Sequence, residues 1–208
     1  MNLLHHWICR SAYWKRTIET ELLPWALDGL TLGDEVLEIG PGYGLATNLL
    51  RSRVTRLTCV EVDGDLARSL SHRTARKNVR VVHADAAHLP LPDAIFSAAL
   101  CFTMLHHVPS LPLQDRVLSE VARVLRPGGL FAGTDSSDGT LLRLFHIGDT
   151  LNAIDPRMFP QRLQAAGFTG VLVDRGPRAF RFRARRGPEP RGPVSAYENS
   201  SPTRPLGS

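Results

Sequence analysis

Val36-Leu37-Glu38-Ile39-Gly40-Pro41-Gly42-Tyr43-Gly44 joins an apolar run to a glycine-rich loop, with a carboxylate close to the join. Glu35 to Ile39 reads as a strand, and glycine then recurs at every second position through Gly40, Gly42 and Gly44. Glycine tolerates positive φ and lets a ligand touch the backbone. In an open parallel α/β sheet, ligands bind beyond the carboxyl ends of the strands, and a following helix, here about Leu45 to Arg51, aims amide groups there. Spacing separates this loop from a dinucleotide fingerprint: G-x-G-x-x-G requires glycine where the chain has Leu45. Glu38 would repel a pyrophosphate but can accept hydrogen bonds from a positively charged amino-acid group. The stretch points to a nucleoside cofactor without a diphosphate.

Two more carboxylates close expected strands. Arg56 to Val60 reads as strand two and Glu61 ends it, about 20 residues after the first glycine, where an acidic partner of ribose hydroxyls belongs. Val79 to His83 reads as strand three, followed by Ala84-Asp85-Ala86, and Asp85 can accept a hydrogen bond from an exocyclic adenine amine. Strand four is expected over Ile95 to Cys101, a helix over Leu113 to Leu125, and a turn at Arg126-Pro127-Gly128-Gly129 leading into strand five, Leu130 to Thr134.

Over roughly residues 31 to 186 the chain resembles a class I S-adenosylmethionine-dependent methyltransferase, similar to the large group that methylates small molecules. The resemblance rests on EIGPGYG at 38 to 44, VEVD at 60 to 63, HADAAHLPLPDAIFSAAL at 83 to 100 and LRPGGLF at 125 to 131, in the family's order and spacing. It implies a doubly wound, mostly parallel, seven-stranded Rossmann-like sheet with an antiparallel strand near the C-terminus. It also implies that Glu38 and the loop of Gly40, Gly42 and Gly44 hold the methionine end of S-adenosylmethionine, Glu61 the ribose, Val62 an adenine face, and Asp85 with the Ala86 amide the adenine edge. Cys101 and Phe102, just past strand four, would approach the sulfonium. One departure stands out: the family commonly carries Asp after the Phe of its F-D pair, where this chain has Phe96-Ser97.

Composition agrees with one α/β domain. The chain has 208 residues, 43% of them hydrophobic, with no run near the roughly 18 to 20 apolar residues of a membrane-spanning helix. MNLLHHWICR lacks the charged and apolar regions of a secretory signal. Cys9, Cys59 and Cys101 have no metal-ligand spacing, so no metal is expected and a reducing cytoplasm is the simplest setting. The net charge of +5 is local: seven arginines between Arg175 and Arg191 stand against the single Glu189, leaving the remainder near neutral. In Ala179 to Arg185, alternation puts Phe180, Phe182 and Ala184 on one face and arginines on the other. A terminal strand with a solvated face explains that pattern more simply than an RNA or acidic-partner patch, which stays open.

Residues 1 to 30 read as a helical lid, helical over 4 to 28 and broken near Pro24, with Trp7, Tyr13, Trp14 and Trp25 available to cover the cofactor end of the sheet. The core is expected over 31 to 186, with a substrate insertion at about 135 to 158. A helix from Met158 to Ala166 should end at Gly167, with Val171 to Val173 and Ala179 to Arg185 as a closing antiparallel pair. Residues 187 to 208 are proline-rich and read as disordered. Within them Pro202-Thr203-Arg204-Pro205 fits a P-x-x-P ligand, and Asn199-Ser200-Ser201 a glycosylation acceptor without meaning unless the chain is secreted.

Methyl transfer from a sulfonium asks the protein mainly to align a nucleophile and exclude water, so a general base is optional. His106 and His107, just after strand four, are candidates, because imidazole changes charge near neutral pH; a packing role is the plainer alternative. His146, Asp149 and Asp155 can touch substrate or simply cap turns. Cys101 lacks the proline-cysteine pair of cytosine methylation, and no Asn-Pro-Pro-aromatic segment occurs. The apolar Leu141, Leu142, Leu144, Phe145 and Ile147 suggest a lipid-like or aromatic small-molecule acceptor. A cofactor-binding protein without transfer activity and an RNA methyltransferase remain the alternatives.

Overall fold

A computed structural model describes Trp7 and residues 11–136, 150–177 and 179–188. Seven strands form one sheet in the order β3-β2-β1-β4-β5-β7-β6. They are β1 (Glu35–Ile39), β2 (Arg56–Glu61), β3 (Val79–His83), β4 (Phe96–Phe102), β5 (Leu125–Ser136), β6 (Phe168–Arg175) and β7 (Ala179–Arg186). The first five pair in parallel, and β7 runs antiparallel between β5 and β6. The order reverses at β1, which lies between β2 and β4 and delivers the glycine loop to the switch point where ligands bind in such sheets.

Central strands of a parallel sheet are covered on both faces, so they read as nearly continuous apolar runs. Val36, Leu37 and Ile39 of β1 and Ala98, Ala99, Leu100 and Cys101 of β4 are all buried. Two cores result. Phe96, Phe131, Phe159, Phe168, Phe180 and Phe182 belong to one, beneath α5 (Leu111–Val124) and α6 (Phe159–Ala165). Val36, Ala46, Leu50, Leu57, Leu70, Ala98 and Leu100 belong to the other, with α3 (Leu45–Leu50) and α4 (Gly64–Thr74).

The N-terminal helical segment joins this second core. It runs as α1 (Ala12–Thr17), a π-helical turn (Ile18–Leu22) and α2 (Leu23–Leu27), with Ile18, Leu23 and Ala26 buried. The expected break at Pro24 is instead a change of helical pitch: proline has no N–H to donate and crowds the carbonyl four residues back, and the wider π turn accommodates that defect without ending the helix. Trp25 reaches the β6–β7 connection, packing near Gly176 and under the Arg181 guanidinium at 5.4 Å, whereas Tyr13 and Trp7 are exposed.

The alternation in β7 behaves as its sequence implies. Phe180, Phe182 and Ala184 are buried, and three of the strand's arginines find partners within the chain. Arg181 donates to Asp174 at 2.8 Å and to the Trp25 carbonyl at 2.7 Å, Arg185 to the Gly128 carbonyl at 2.9 Å, and Arg186 to the Leu125 carbonyl.

The start of the fifth strand differs from the sequence expectation. Strand β5 begins at Leu125, which pairs with Phe96; the register then shifts and resumes at Ala98 with Leu130. Arg126 to Gly129 therefore form a bulge inside the strand rather than a turn before it, with Gly128 at φ +75 and Arg126 bonded to Asp34 at 2.9 Å. Ser97, standing where the family's Asp is common, accepts from the Glu35 amide at 3.2 Å and lies 2.8 Å from the Leu32 and Glu35 carbonyls. It ties the starts of β1 and β4 together, at the end of the sheet away from the glycine loop.

Between β4 and β5 the backbones approach so closely that a Cβ on Gly133 would collide with the Cys101 carbonyl. Gly133→Ala is accordingly expected to cost about 2–3 kcal/mol, because the obstacle is a neighbouring strand's backbone rather than a side chain that can move aside. Denaturant unfolding of the two proteins measures it, and a loss below about 0.5 kcal/mol would contradict it.

Candidate functional site

Gly40, at φ +62, faces Met104 of the loop after β4, and a side chain there would collide with the Met104 side chain. Gly42, at φ +53, has open space where its Cβ would stand. The loop's fold thus packs one glycine against protein and presents another to whatever enters.

Glu61 holds that loop in place. Its Oε2 accepts from the Gly42 amide at 2.9 Å and its Oε1 from the Asp63 amide at 3.0 Å, in a residue only 6% exposed. A carboxylate has about four acceptor sites on its two oxygens. Both oxygens therefore keep acceptor capacity for a diol while they bind the loop. The neighbouring Val62 is an apolar side chain left 66% exposed at the end of β2, and His83 Nε2 lies 3.1 Å from its carbonyl. Asp85 directs Oδ1 to the Ala87 amide at 2.8 Å, leaving Oδ2 4.0 Å from His88 Nδ1, and Ala86 packs partly into the first core.

Glu38 sits deeper. It is 1% exposed, and its Oε2 accepts from the Thr47 hydroxyl at 2.6 Å and from the Cys59 thiol at 3.4 Å. Burial pushes its carboxyl up to about 7; the Thr47 and Cys59 hydrogen bonds oppose that rise, and the Glu61 charge adds a little to it. Cys59 is itself pushed well up by burial and by the Glu38 charge. Thr47 was not a candidate from sequence, because nothing marks which residue of the following helix will reach back beneath the loop.

Cys101 and Phe102 are the last two residues of β4 rather than residues beyond it, and both are buried, one in each core. The Cys101 thiol is raised well above its ordinary range by burial and by Asp135, which makes it a core residue rather than a nucleophile. Thr103 follows at φ +49, its amide donating to the Thr134 carbonyl at 2.8 Å. Leu105–His107 form a 3-10 turn that buries His106 to 3% exposure and leaves His107 half-buried, with ring centroids 4.1 Å apart.

The residue that sequence reading missed is Asp135. It is fully buried, and its Oδ1 lies 2.5 Å from His106 Nδ1. The sequence places it as the first residue of the insertion, yet it is the penultimate residue of β5. The signal was present: an acid closing an apolar strand, as at Glu61. Asp155, by contrast, serves a turn, bonding the Arg157 amide at 2.9 Å and the Arg157 guanidinium. His146, Asp149 and the apolar stretch Leu141 to Ile147 lie outside the described residues, as do Cys9 and nearly all of the tail. Among the described residues no cluster of three or more His, Cys, Asp or Glu could hold a metal, and no helix is long and apolar enough to cross a membrane.

A sheet of this order, with a G-x-G-x-G loop and acids closing its first strands, resembles that of a class I S-adenosylmethionine-dependent methyltransferase domain. Residues 37–133 match the family described as "Methyltransferase domain". The chain is 37% identical over 106 residues to a fatty-acid O-methyltransferase of Mycolicibacterium smegmatis, covering 50% of this chain and 38% of that protein. It is 33% identical over 157 residues to a ribosomal RNA small subunit methyltransferase A of Rubrobacter xylanophilus, covering 66% and 59%. The structure resembles that of the N-methyltransferase NodS of Bradyrhizobium japonicum with S-adenosylhomocysteine, at a TM-score of 0.67 and 19% identity over 86% of this chain and 91% of that one. The chain thus spans less than two thirds of the length of these two curated relatives.

Proposed function

We propose that the chain transfers the methyl group of S-adenosylmethionine to a small apolar or aromatic acceptor. The observation that supports this most is the Glu61 carboxylate, fixed by the Gly42 and Asp63 amides at the mouth of the glycine loop with acceptor capacity still available on both oxygens. In this reading Glu61 takes the ribose hydroxyls, the exposed Val62 covers an adenine face, and Asp85 Oδ2 with the Ala86 amide meets the adenine edge. Glu38 and Gly40 to Gly44 surround the methionine end, and Phe102 to His107 border the acceptor.

The bound cofactor would supply the activated methyl; the chain's task is to align the acceptor and keep water out. The apolar run Leu141 to Ile147 and the fatty-acid relative support an apolar acceptor. An RNA acceptor is less favoured, because Arg181, Arg185 and Arg186 of β7 are engaged within the chain.

Asp85→Asn is expected to weaken S-adenosylhomocysteine binding by about tenfold, the value of one hydrogen bond to a charged group, since Oδ1 serves the Ala87 amide and Oδ2 alone faces the ligand. Calorimetry checks it, and unchanged affinity would remove Asp85 from the site. The function is tested by methyl transfer from labelled S-adenosylmethionine to fatty acids, alkylphenols and amines. Transfer to one of these supports the reading, and transfer confined to RNA contradicts it.

A further inference from the structure

Charge on this chain is segregated, and its unpaired cations stand away from β7. No Asp or Glu occurs between Ile39 and Val60 or between Leu66 and Ala84, yet these stretches carry seven arginines and Lys77. Two of the arginines are neutralised at the surface, Arg56 by Glu35 and Asp34 and Arg68 by Asp65. The other six cations pair with no carboxylate among the described residues. Arg53, Arg76 and Arg80 are exposed; Arg73 and Lys77, also exposed, donate to the neutral Tyr43 and Arg73 carbonyls at 3.0 and 2.9 Å. Even at Arg51, whose Nε is buried, the fold supplies no acceptor.

The fold gathers these cations at one end of the sheet. Asn78 Nδ2 donates to the Arg51 and Val54 carbonyls, both at 2.8 Å, and the Leu57 amide donates to the Asn78 carbonyl at 2.9 Å. The loop before β2 is thereby tied to the loop before β3, and parallel pairing sets Arg80 beside Thr58. Both loops precede their strands, so they lie at the end opposite the glycine loop, with Arg73 in the last turn of α4. Arg76 holds φ +61, a conformation that residues with a side chain rarely adopt. A strained arginine kept at an exposed turn points to a use for its charge.

The make-up of the patch selects its partner. Residues 51–56 and 72–80 contain no Phe, Tyr or Trp and none of the exposed large hydrophobic residues. A protein interface is anchored by such residues at its centre, stable attachment to a lipid surface adds an apolar signal to the basic one, and single-stranded nucleic acid stacks its bases on aromatic rings. A duplex needs none of these, because its phosphates face outward and are met by arginine and lysine, arginine in particular matching phosphate with paired N–H donors. We propose that this patch docks the phosphodiester backbone of a double-helical nucleic acid, which is bound there without being methylated and leaves the cofactor end of the sheet free. The inference goes beyond the methyl-transfer reading and does not depend on it.

Fluorescence anisotropy of labelled duplex RNA and duplex DNA, titrated with the full chain over a range of salt concentrations, tests it. Two variants are compared, the triple Arg53→Ser, Arg76→Gly, Arg80→Ser and, on β7, the double Arg183→Ser, Arg185→Ser. Binding to at least one duplex is expected, with log K falling against log salt at a slope of about −4 to −5, as roughly five neutralised phosphates require. Which duplex binds identifies the nucleic acid. The triple variant should bind at least about tenfold more weakly at low salt, with a slope shallower by about 2 to 3, while the β7 variant binds as the unaltered chain does. Arg76→Gly alone relieves the positive φ, so duplex affinity should fall without a lower thermal midpoint, which separates a lost contact from a lost fold. Binding to neither duplex, binding unchanged in the triple variant, or loss in the β7 variant alone overturns the proposal. Capture by phosphatidylglycerol vesicles without duplex binding, or labelled methyl transfer to the bound duplex, overturns it as well.

Discussion

Glu61→Ala is expected to weaken S-adenosylhomocysteine binding by about 100-fold or more. Two losses combine. The ribose hydroxyls lose a charged acceptor, and the Gly42 and Asp63 amides lose the groups that fix the loop and the β2 end before any ligand arrives. Hydrogen bonds to a charged partner contribute roughly 1.5–3 kcal/mol, and a loop that must be ordered on binding adds to the loss, so a total near 3 kcal/mol corresponds to the stated factor. Glu61→Gln keeps one acceptor oxygen and should fall between. Calorimetry on variants shown to be folded measures both, and a loss below about threefold for Glu61→Ala would contradict the ribose assignment.

The second large effect depends on pH and concerns Glu38. Its carboxyl, ordinarily near 4.5, is raised to about 7, with burial as the first cause. The unfolded chain releases this proton near 4.5, whereas the folded chain keeps it until about 7. Stability from this group is therefore fully present below about 4.5, falls between the two values and is gone above about 7, a change on the order of 3 kcal/mol. Glu38→Gln is uncharged at every pH and nearly isosteric. Its stability relative to the unaltered chain should rise steadily from about pH 5 to about pH 8, as measured by denaturant unfolding of both proteins. A difference that does not change with pH would show that Glu38 is not titrating in this range. A cationic group bound nearby favours the ionised carboxylate, so saturating S-adenosylhomocysteine should shrink the pH-dependent part.

Much of the sheet was legible because its strands are short apolar runs with charged or glycine punctuation. Glu35 to Ile39 and Val79 to His83 have the expected ends, and β7 buries the expected face. Misreadings arose where tertiary pairing overrode local signals. Arg-Pro-Gly-Gly reads as a turn, yet Leu125 before it already pairs with Phe96 and the four residues bulge within β5. Pro24 reads as a break, yet the apolar residues on both sides of it share one face against the sheet, and a π turn preserves that contact.

The site divides along the same line. The glycine loop, Glu61 and Asp85 stand out as candidates in the sequence because their spacing along the chain is itself the signal. Asp135 does not, because it lies at the end of a fifth strand after a gap and its partner His106 belongs to a different element. Thr47 and Gln114 do not, because a polar residue on an amphipathic helix looks the same whether it faces water or reaches a buried partner, and only packing places them at Glu38 and at the Leu105 carbonyl.

The most direct measurement is a calorimetric titration of S-adenosylmethionine and S-adenosylhomocysteine into the unaltered chain. A one-to-one complex with Kd in roughly the micromolar range is predicted, as expected for a cofactor held near its working concentration. Absence of binding by protein shown to be folded would contradict the assignment of the strand-end carboxylates to this cofactor and leave the α/β sheet without the function proposed for it.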